Sequence, residues 1–210
     1  MLSSDHGIVP LNRYVLLNDL FAREGLLKFT LDPATGEPSI DWVNTKAAHL
    51  KMIGVYLHPN GLAGPWKRGS GPEYEALLEK VKNMLVNLRD GDIAPIERVV
   101  RWENAGELRM PEDRVPDLML VMKPGYGLTE EMSAGLALFR DAREGGYKQA
   151  LSADKNPALW TPFVITGPGV KKGYRLHNNI SNADQLPTFL KLLGIPVPEY
   201  MQGKIINEIF

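Results

Sequence analysis

Four residues near the start of the chain, Ser4-Asp5-His6-Gly7, combine side chains that commonly bind a divalent metal ion. The aspartate offers a charged oxygen and the neutral histidine a nitrogen, a pair that suits zinc, manganese or iron. Gly7 lets the backbone turn sharply, so that neighbouring side chains can converge on one ion. Taken alone, the same residues also fit a surface turn in which the Asp5 side chain accepts a hydrogen bond from the backbone.

The composition is that of a folded protein with a sizeable core. The chain has 210 residues, of which 44% are hydrophobic, and a formal net charge of −1. A balanced charge gives no reason to expect binding to a nucleic acid polymer or an acidic membrane. We find no transmembrane segment and no secretory signal pattern, and the absence of cysteine excludes disulfides and thiolate metal ligands. The compartment is not assigned, with the cytoplasm as the default.

The pattern of apolar residues predicts alternating strands and helices. Val9 to Leu27 has a largely helical pattern, and the clearest helix starts at Gly71-Pro72. A final amphipathic helix is expected after Asn182-Ala183-Asp184, which would cap it. Its inward stripe would consist of Leu186, Phe189, Leu190 and Leu193. Strands are predicted at 52–61, 96–103, in the apolar run after Pro116, and at 161–169.

This order of elements predicts an α/β fold with a mixed, mostly parallel sheet that is flanked by helices. Residues 1–39 and 116–210 would form the α/β core, and residues 40–115 an α+β insertion over it. Only two residues precede the first loop, whereas strands usually have five or six. We therefore expect the first strand, and the sheet, to be incomplete in this chain.

Much of the chain resembles the alkaline phosphatase superfamily, in particular its type I phosphodiesterase/nucleotide pyrophosphatase branch. The first matching segment is the one that contains Ser4-Asp5-His6-Gly7, and the most specific is the ending with Asp184, Pro187 and Thr188. The segments that carry the resemblance are, in order, SSDHGIVPLNRYVLLNDLFAREGLL, DWVNTKAAHL, GVYLHPNG, GPEYEALLEKVKNMLVNLRD, VPDLMLVMKPGYGLT, FVITGPGVKKG and NADQLPTFLKLLGIPVPEYMQGKIINEI.

The resemblance implies a metal-dependent hydrolase of small phosphate esters or nucleotides. In that family two divalent ions bind the phosphoryl oxygens and activate a Thr or Ser nucleophile. Asp5 and His6 would be ligands of one ion, zinc by default and manganese as the alternative. The nucleophile and the other ligands would lie in an N-terminal half that is absent here, so that the fragment would be inactive. That missing half, or a second copy of the chain, is the expected protein partner.

Lys155 stands where the family has a histidine that binds the second metal ion. A lysine ammonium has no lone pair for a metal, so its positive charge would replace that ion and leave a one-metal site like that of the related sulfatases. The other interpretation is that the loop is misaligned by a residue or two and that Lys155 is solvated.

Two further residues are candidates for contact with substrate. Tyr126 follows a buried strand, at the edge where α/β proteins place binding groups, and His58 ends another strand. His49 is expected to be packed or exposed, and His177 exposed. We interpret the chain as the C-terminal portion of a phosphodiesterase/nucleotide pyrophosphatase-like enzyme. The alternatives are a one-metal sulfatase- or phosphomonoesterase-like hydrolase and a non-catalytic binding domain descended from the family.

Overall fold

A computed structural model of the protein describes residues 1–59, 67–142 and 157–210. The described residues form eleven β-strands: β1 Leu2–Ser3, β2 Leu11–Leu16, β3 Phe29–Leu31, β4 Pro38–Ile40, β5 Ala47–Lys51, β6 Gly54–Leu57, β7 Ile96–Arg101, β8 Leu118–Met122, β9 Gly125–Thr129, β10 Phe139–Asp141 and β11 Phe163–Val164. They also form three α-helices: α1 Leu17–Arg23, α2 Pro72–Asn87 and α3 Gln185–Leu192. No helix in this part of the chain is long and apolar enough to cross a membrane.

The chain divides into two compact units. Unit 1 contains Met1–Gly7 and Trp160–Phe210, and unit 2 contains Ile8–Leu159. The predicted division into a core and an insertion at residues 40–115 stays a prediction. Within unit 2, β8 lies outside that range but pairs with β6 and β7, which lie inside it.

A four-stranded sheet in the order β5-β6-β8-β7 provides the core of unit 2. All five residues of β8 are buried, as the apolar sequence Leu-Met-Leu-Val-Met predicts for a central strand. The helix α2 packs one face against the sheet, and its buried residues Tyr74, Leu78, Val81 and Leu85 follow the predicted helical spacing. Pro72 begins this helix, where its missing N–H costs no hydrogen bond.

The mixed α/β class is confirmed, but the prediction of a mostly parallel sheet is wrong. Among the described strands only β2 and β9 pair in parallel, and the other six pairings are antiparallel. The connections explain part of this result, because only Met52 and Ile53 separate β5 from β6. Parallel neighbours need a crossover of a dozen or more residues, whereas a hairpin needs only two.

The segment from Val9 to Leu27 is not helical throughout. Its first part is the strand β2, which lies between β10 and β9 in a three-stranded sheet. The helix α1 begins directly at Leu17 and buries Leu20 and Phe21. Backbone pairing with two neighbouring strands therefore outweighs the local helical spacing of the first apolar residues.

Unit 1 has little apolar core of its own. Its two strands, β1 and β11, form a short antiparallel pair, and Ile206 and Ile209 are its buried hydrophobic residues among those described. The predicted inward stripe is not the buried face of α3, because Leu186 is 53% exposed and Leu193 is 72% exposed, while Phe189 and Leu190 are half-buried. The helix buries Pro187 and Thr188 instead. Polar contacts therefore hold much of unit 1 together, and three of them reach the segment that carries Asp5 and His6.

Candidate metal-binding site

The structure brings Asp5 and His6 together at the end of β1. Oδ2 of Asp5 lies 3.2 Å from Nε2 of His6, and the backbone N–H of His6 donates to Oδ1 of Asp5 at 3.1 Å. The Asp5 side chain is 79% exposed and that of His6 is 32% exposed. The predicted pair thus forms a small cluster that a solute can reach.

The other ring nitrogen of His6 defines the chemistry of this pair. Nδ1 lies 2.8 Å from the carbonyl oxygen of Gly7. Because a carbonyl oxygen only accepts hydrogen bonds, we assign the ring hydrogen to Nδ1, which leaves the lone pair of the neutral ring on Nε2. That lone pair faces the Asp5 carboxylate, and two such acceptors repel each other unless a cation lies between them. A proton or a metal ion satisfies this requirement.

The spacing of the two atoms fits the metal interpretation. Ligands at about 2.0–2.1 Å from a tetrahedral ion are themselves about 3.3 Å apart, which is close to the observed 3.2 Å. The hydrogen bond from Nδ1 to a backbone carbonyl is also the usual way in which proteins orient a metal-binding histidine. In the described parts of the chain, however, no group of three or more His, Asp or Glu side chains is placed to hold a metal ion.

Side chains of the C-terminal segment hold the loop that carries the pair. The Thr161 hydroxyl donates to the carbonyl oxygen of Ser4 at 3.1 Å, and the Asn182 amide donates to that of Asp5 at 2.6 Å. The Ser3 hydroxyl donates to Oε1 of Gln185 at 2.9 Å. These bonds span more than 150 residues of sequence, so no local pattern indicates them. The sequence alone predicts Asn182 only as part of a helix cap.

The turn before α3 supports Asn182. Ser181, rather than Asn182, caps this turn, in a reciprocal arrangement in which Asp184 accepts from the Ser181 N–H. Asp184 also accepts from the backbone N–H of Lys204 at 2.7 Å, and it stands at the N-cap of α3 without a side-chain capping bond to that helix. A Cβ at Gly203 would overlap the Ala183 carbonyl, so a glycine is needed there.

Thr188 joins the helix α3 to the final segment of the chain. Its side chain is fully buried, and its hydroxyl donates to the Asp184 carbonyl at 2.6 Å. The same hydroxyl accepts from the backbone N–H of Ile206 at 3.0 Å. The Asp-x-x-Pro-Thr spacing thus has a structural role, because Asp184 and Thr188 tie residues 204–206 near the end of the chain to the start of the helix.

The remaining predicted site residues belong to unit 2 or lie outside the described residues. Lys155 is outside them. The Tyr126 hydroxyl donates to Asp90 at 3.0 Å, so that group already has a partner. His58 is exposed with a positive φ of 46°, and its role in substrate contact stays a prediction. His49 is buried, which favours the packing alternative, and burial lowers its pKa.

Unit 2 contains a buried charged cluster that the sequence analysis missed. The carboxylate of Asp117 is fully buried and accepts from the Leu57 N–H at 2.7 Å and from the Tyr74 hydroxyl at 2.6 Å. Arg68 lies 3.6 Å from the same carboxylate, with its guanidinium 4.2 Å from the centre of the Trp102 ring. Burial raises the pKa of Asp117. These contacts join β6, α2 and β8, and we assign the cluster a structural role.

Comparison with known families is in line with this geometry. The sequence profile described as "Type I phosphodiesterase / nucleotide pyrophosphatase" matches residues 1–148, which is well over half of the chain. The chain belongs to this family. Membership places it in the alkaline phosphatase superfamily and agrees with the resemblance carried by the Ser4-Asp5-His6-Gly7 segment.

Short stretches of the chain are also similar to sulfatases of the same superfamily. It is 40% identical over 45 residues to "Extracellular sulfatase SULF-1 homolog" of Drosophila melanogaster, which is 21% of this chain and 4% of that protein. It is 40% identical over 42 residues to "Arylsulfatase K" of Homo sapiens, which is 20% of this chain and 8% of that protein. The matched stretches thus span under a tenth of these curated relatives, and no solved structure matches.

Proposed function

We propose that this chain supplies two ligands, Asp5 and His6, to one divalent ion in a phosphodiesterase/nucleotide pyrophosphatase-like hydrolase. The observation that carries the proposal is the 3.2 Å approach of the Asp5 carboxylate to Nε2 of His6. The hydrogen bond from Nδ1 to Gly7 keeps the Nε2 lone pair directed at that space. Family membership supports the choice of reaction, hydrolysis of a small phosphate ester.

Each residue of the pair has a distinct task in this proposal. The carboxylate of Asp5 brings the negative charge that attracts the ion, and His6 brings a neutral nitrogen of fixed orientation. When bound, the ion would neutralise charge on the phosphoryl oxygens and lower the pKa of the nucleophile. Zinc suits this mixed oxygen and nitrogen set best, with manganese as the alternative.

Two ligands do not complete a catalytic metal site, which usually has three protein ligands and an open position. We propose that the nucleophile and the other ligands come from polypeptide beyond these 210 residues. The exposed apolar residues of unit 1 support this, because Leu186 of α3 and Leu193, directly after that helix, are exposed. The chain alone should then bind a metal ion weakly and catalyse no hydrolysis.

The hydrolase proposal is tested by joining the N-terminal half of a family phosphodiesterase to this chain. We expect the fusion to hydrolyse bis(4-nitrophenyl) phosphate in the presence of zinc, and His6→Ala to reduce kcat/KM at least 100-fold. His177→Ala, at another exposed histidine of unit 1, is the matched control and should leave kcat/KM within twofold. An active fusion that tolerates His6→Ala, or an inactive fusion that binds zinc, would contradict the proposal.

The similarity to sulfatases favours a second candidate function, a one-metal hydrolase of sulfate or phosphate monoesters. Lys155 would then replace the charge of a second ion. In the fusion, Lys155→His should raise bound zinc from one to two ions per chain, as measured by elemental analysis. Unchanged metal content would count against this candidate.

A further inference from the structure

We propose that Asn182 is a positioning residue for the Asp5–His6 pair. Its side-chain amide donates to the carbonyl oxygen of Asp5 at 2.6 Å and thereby fixes the backbone from which both side chains leave. The inference rests on the proposed metal-binding role of the pair, and it assigns a role in that site to a residue 177 positions away in sequence.

The planarity of the peptide bond makes this single contact effective. The Asp5 carbonyl and the His6 N–H belong to one rigid plane. When Asn182 holds the oxygen of that plane, it also sets the direction of the N–H on the opposite side. That N–H donates to Oδ1 of Asp5 at 3.1 Å, so the plane orients the carboxylate as well. One hydrogen bond to the backbone thus restrains both proposed ligands.

Asn182 is itself held from two sides. Its Oδ1 accepts from the Gln185 amide at 2.9 Å, which leaves Nδ2 directed at Asp5. Its backbone lies in the turn capped by Ser181 and anchored by Asp184. Gln185 in turn accepts from the Ser3 hydroxyl at 2.9 Å, on the other side of the loop. The start of α3 therefore serves as a rigid support for the proposed ligands.

Among the described residues, other contacts act on the neighbouring peptides of this loop, and the Ser4 hydroxyl donates to the His6 carbonyl at 3.2 Å. β1 contains only two residues, and the Asp5 side chain is 79% exposed. Beyond these, the Thr161 hydroxyl holds the preceding carbonyl, that of Ser4, at 3.1 Å. Because polar partners that orient metal ligands typically contribute 10- to 100-fold in metal affinity, the loss of the Asn182 amide should weaken metal binding measurably. Thr161 acts one peptide further away and should contribute less.

The test is a zinc titration of the 210-residue chain, followed through the Nε2 chemical shift of ¹⁵N-labelled His6. In the wild-type protein we expect a saturable shift of this signal. Asn182→Ala should weaken the apparent zinc affinity about tenfold, and Thr161→Val should weaken it about threefold. Without zinc, the His6 amide should exchange with solvent about tenfold faster in Asn182→Ala, because its peptide plane is released.

Two control variants separate positioning from general destabilisation. Tyr174→Phe removes a 2.8 Å hydrogen bond to Glu208 elsewhere in unit 1, and Asn179→Ala changes an exposed asparagine. Both should leave the zinc affinity of His6 within twofold. An equal loss in Tyr174→Phe and Asn182→Ala would overturn the positioning role.

The possible outcomes distinguish this inference from the proposed function. Zinc binding at His6 that Asn182→Ala leaves unchanged overturns the inference alone. A wild-type His6 signal that zinc does not shift contradicts the proposed metal role, and unchanged exchange of the His6 amide in Asn182→Ala would then overturn the positioning role as well. If Asn182→Ala does not fold, Asn182→Ser, which keeps a polar residue in the turn but shortens the side chain that reaches Asp5, decides, and an unchanged affinity in that variant overturns the inference.

Discussion

Replacement of Thr188 by valine should destabilise unit 1 more than its small change in shape suggests. The buried hydroxyl donates to the Asp184 carbonyl and accepts from the Ile206 N–H. Valine has nearly the same volume but offers neither bond, and a buried N–H without a partner costs about 1–3 kcal/mol. We expect a loss of about 2 kcal/mol in the free energy of unfolding of this unit.

Serine at position 188 is the matched control. It keeps the hydroxyl and loses one methyl group, which costs about 0.8 kcal/mol. Hydrogen exchange of the Ile206 and α3 amides measures the loss of stability in both variants. A loss of about 1.4 kcal/mol corresponds to a tenfold faster exchange rate. Thr188→Val should accelerate exchange about 30-fold and Thr188→Ser about fourfold. An acceleration by valine that is no larger than that by serine would refute the role of the hydroxyl.

Two further predictions concern unit 2. Asp117→Asn should lower its stability by about 3 kcal/mol, because the amide removes the buried negative charge that faces Arg68 and no longer offers one acceptor to each of the Leu57 N–H and the Tyr74 hydroxyl. Urea unfolding with no loss would show that the buried charge is dispensable. Burial lowers the pKa of His49, so the folded state binds its proton later than the unfolded state as the pH falls. The free energy of unfolding is therefore unaffected by His49 above the pKa of about 6.5 in the unfolded state. Below that pH it falls by up to about 1.4 kcal/mol per pH unit. His49→Asn should flatten the dependence of urea midpoints on pH between 6.5 and 5.5, and an unchanged slope would contradict this assignment.

The elements with strong periodicity could be predicted from the sequence, and the direction of the strands could not. The spacing of Tyr74, Leu78 and Val81 indicates α2, and the apolar run of β8 indicates a buried strand. Such patterns report which face is buried but not which neighbour a strand pairs with. The antiparallel pairing of β6 with β8, for example, joins strands that are separated by residues 58–117 in the sequence.

In the candidate site, too, the residues that are adjacent in sequence could be predicted, and the contacts between distant residues could not. Asp5 and His6 are adjacent in sequence, so their chemistry could be read directly from the chain. The bonds from Thr161 and Asn182 to this loop bring together residues more than 150 positions apart. Asn182 also precedes a helix, where asparagine commonly acts as a cap, and this local explanation concealed its contact with Asp5.

The most direct test of the central claim is a crystal structure determined from crystals grown with zinc. Anomalous scattering at the zinc edge locates the ion independently of any assumption about its ligands. The proposed site predicts a peak about 2.1 Å from Nε2 of His6 and from a carboxylate oxygen of Asp5. A peak bound elsewhere, with the His6 ring turned away from Asp5, would contradict it.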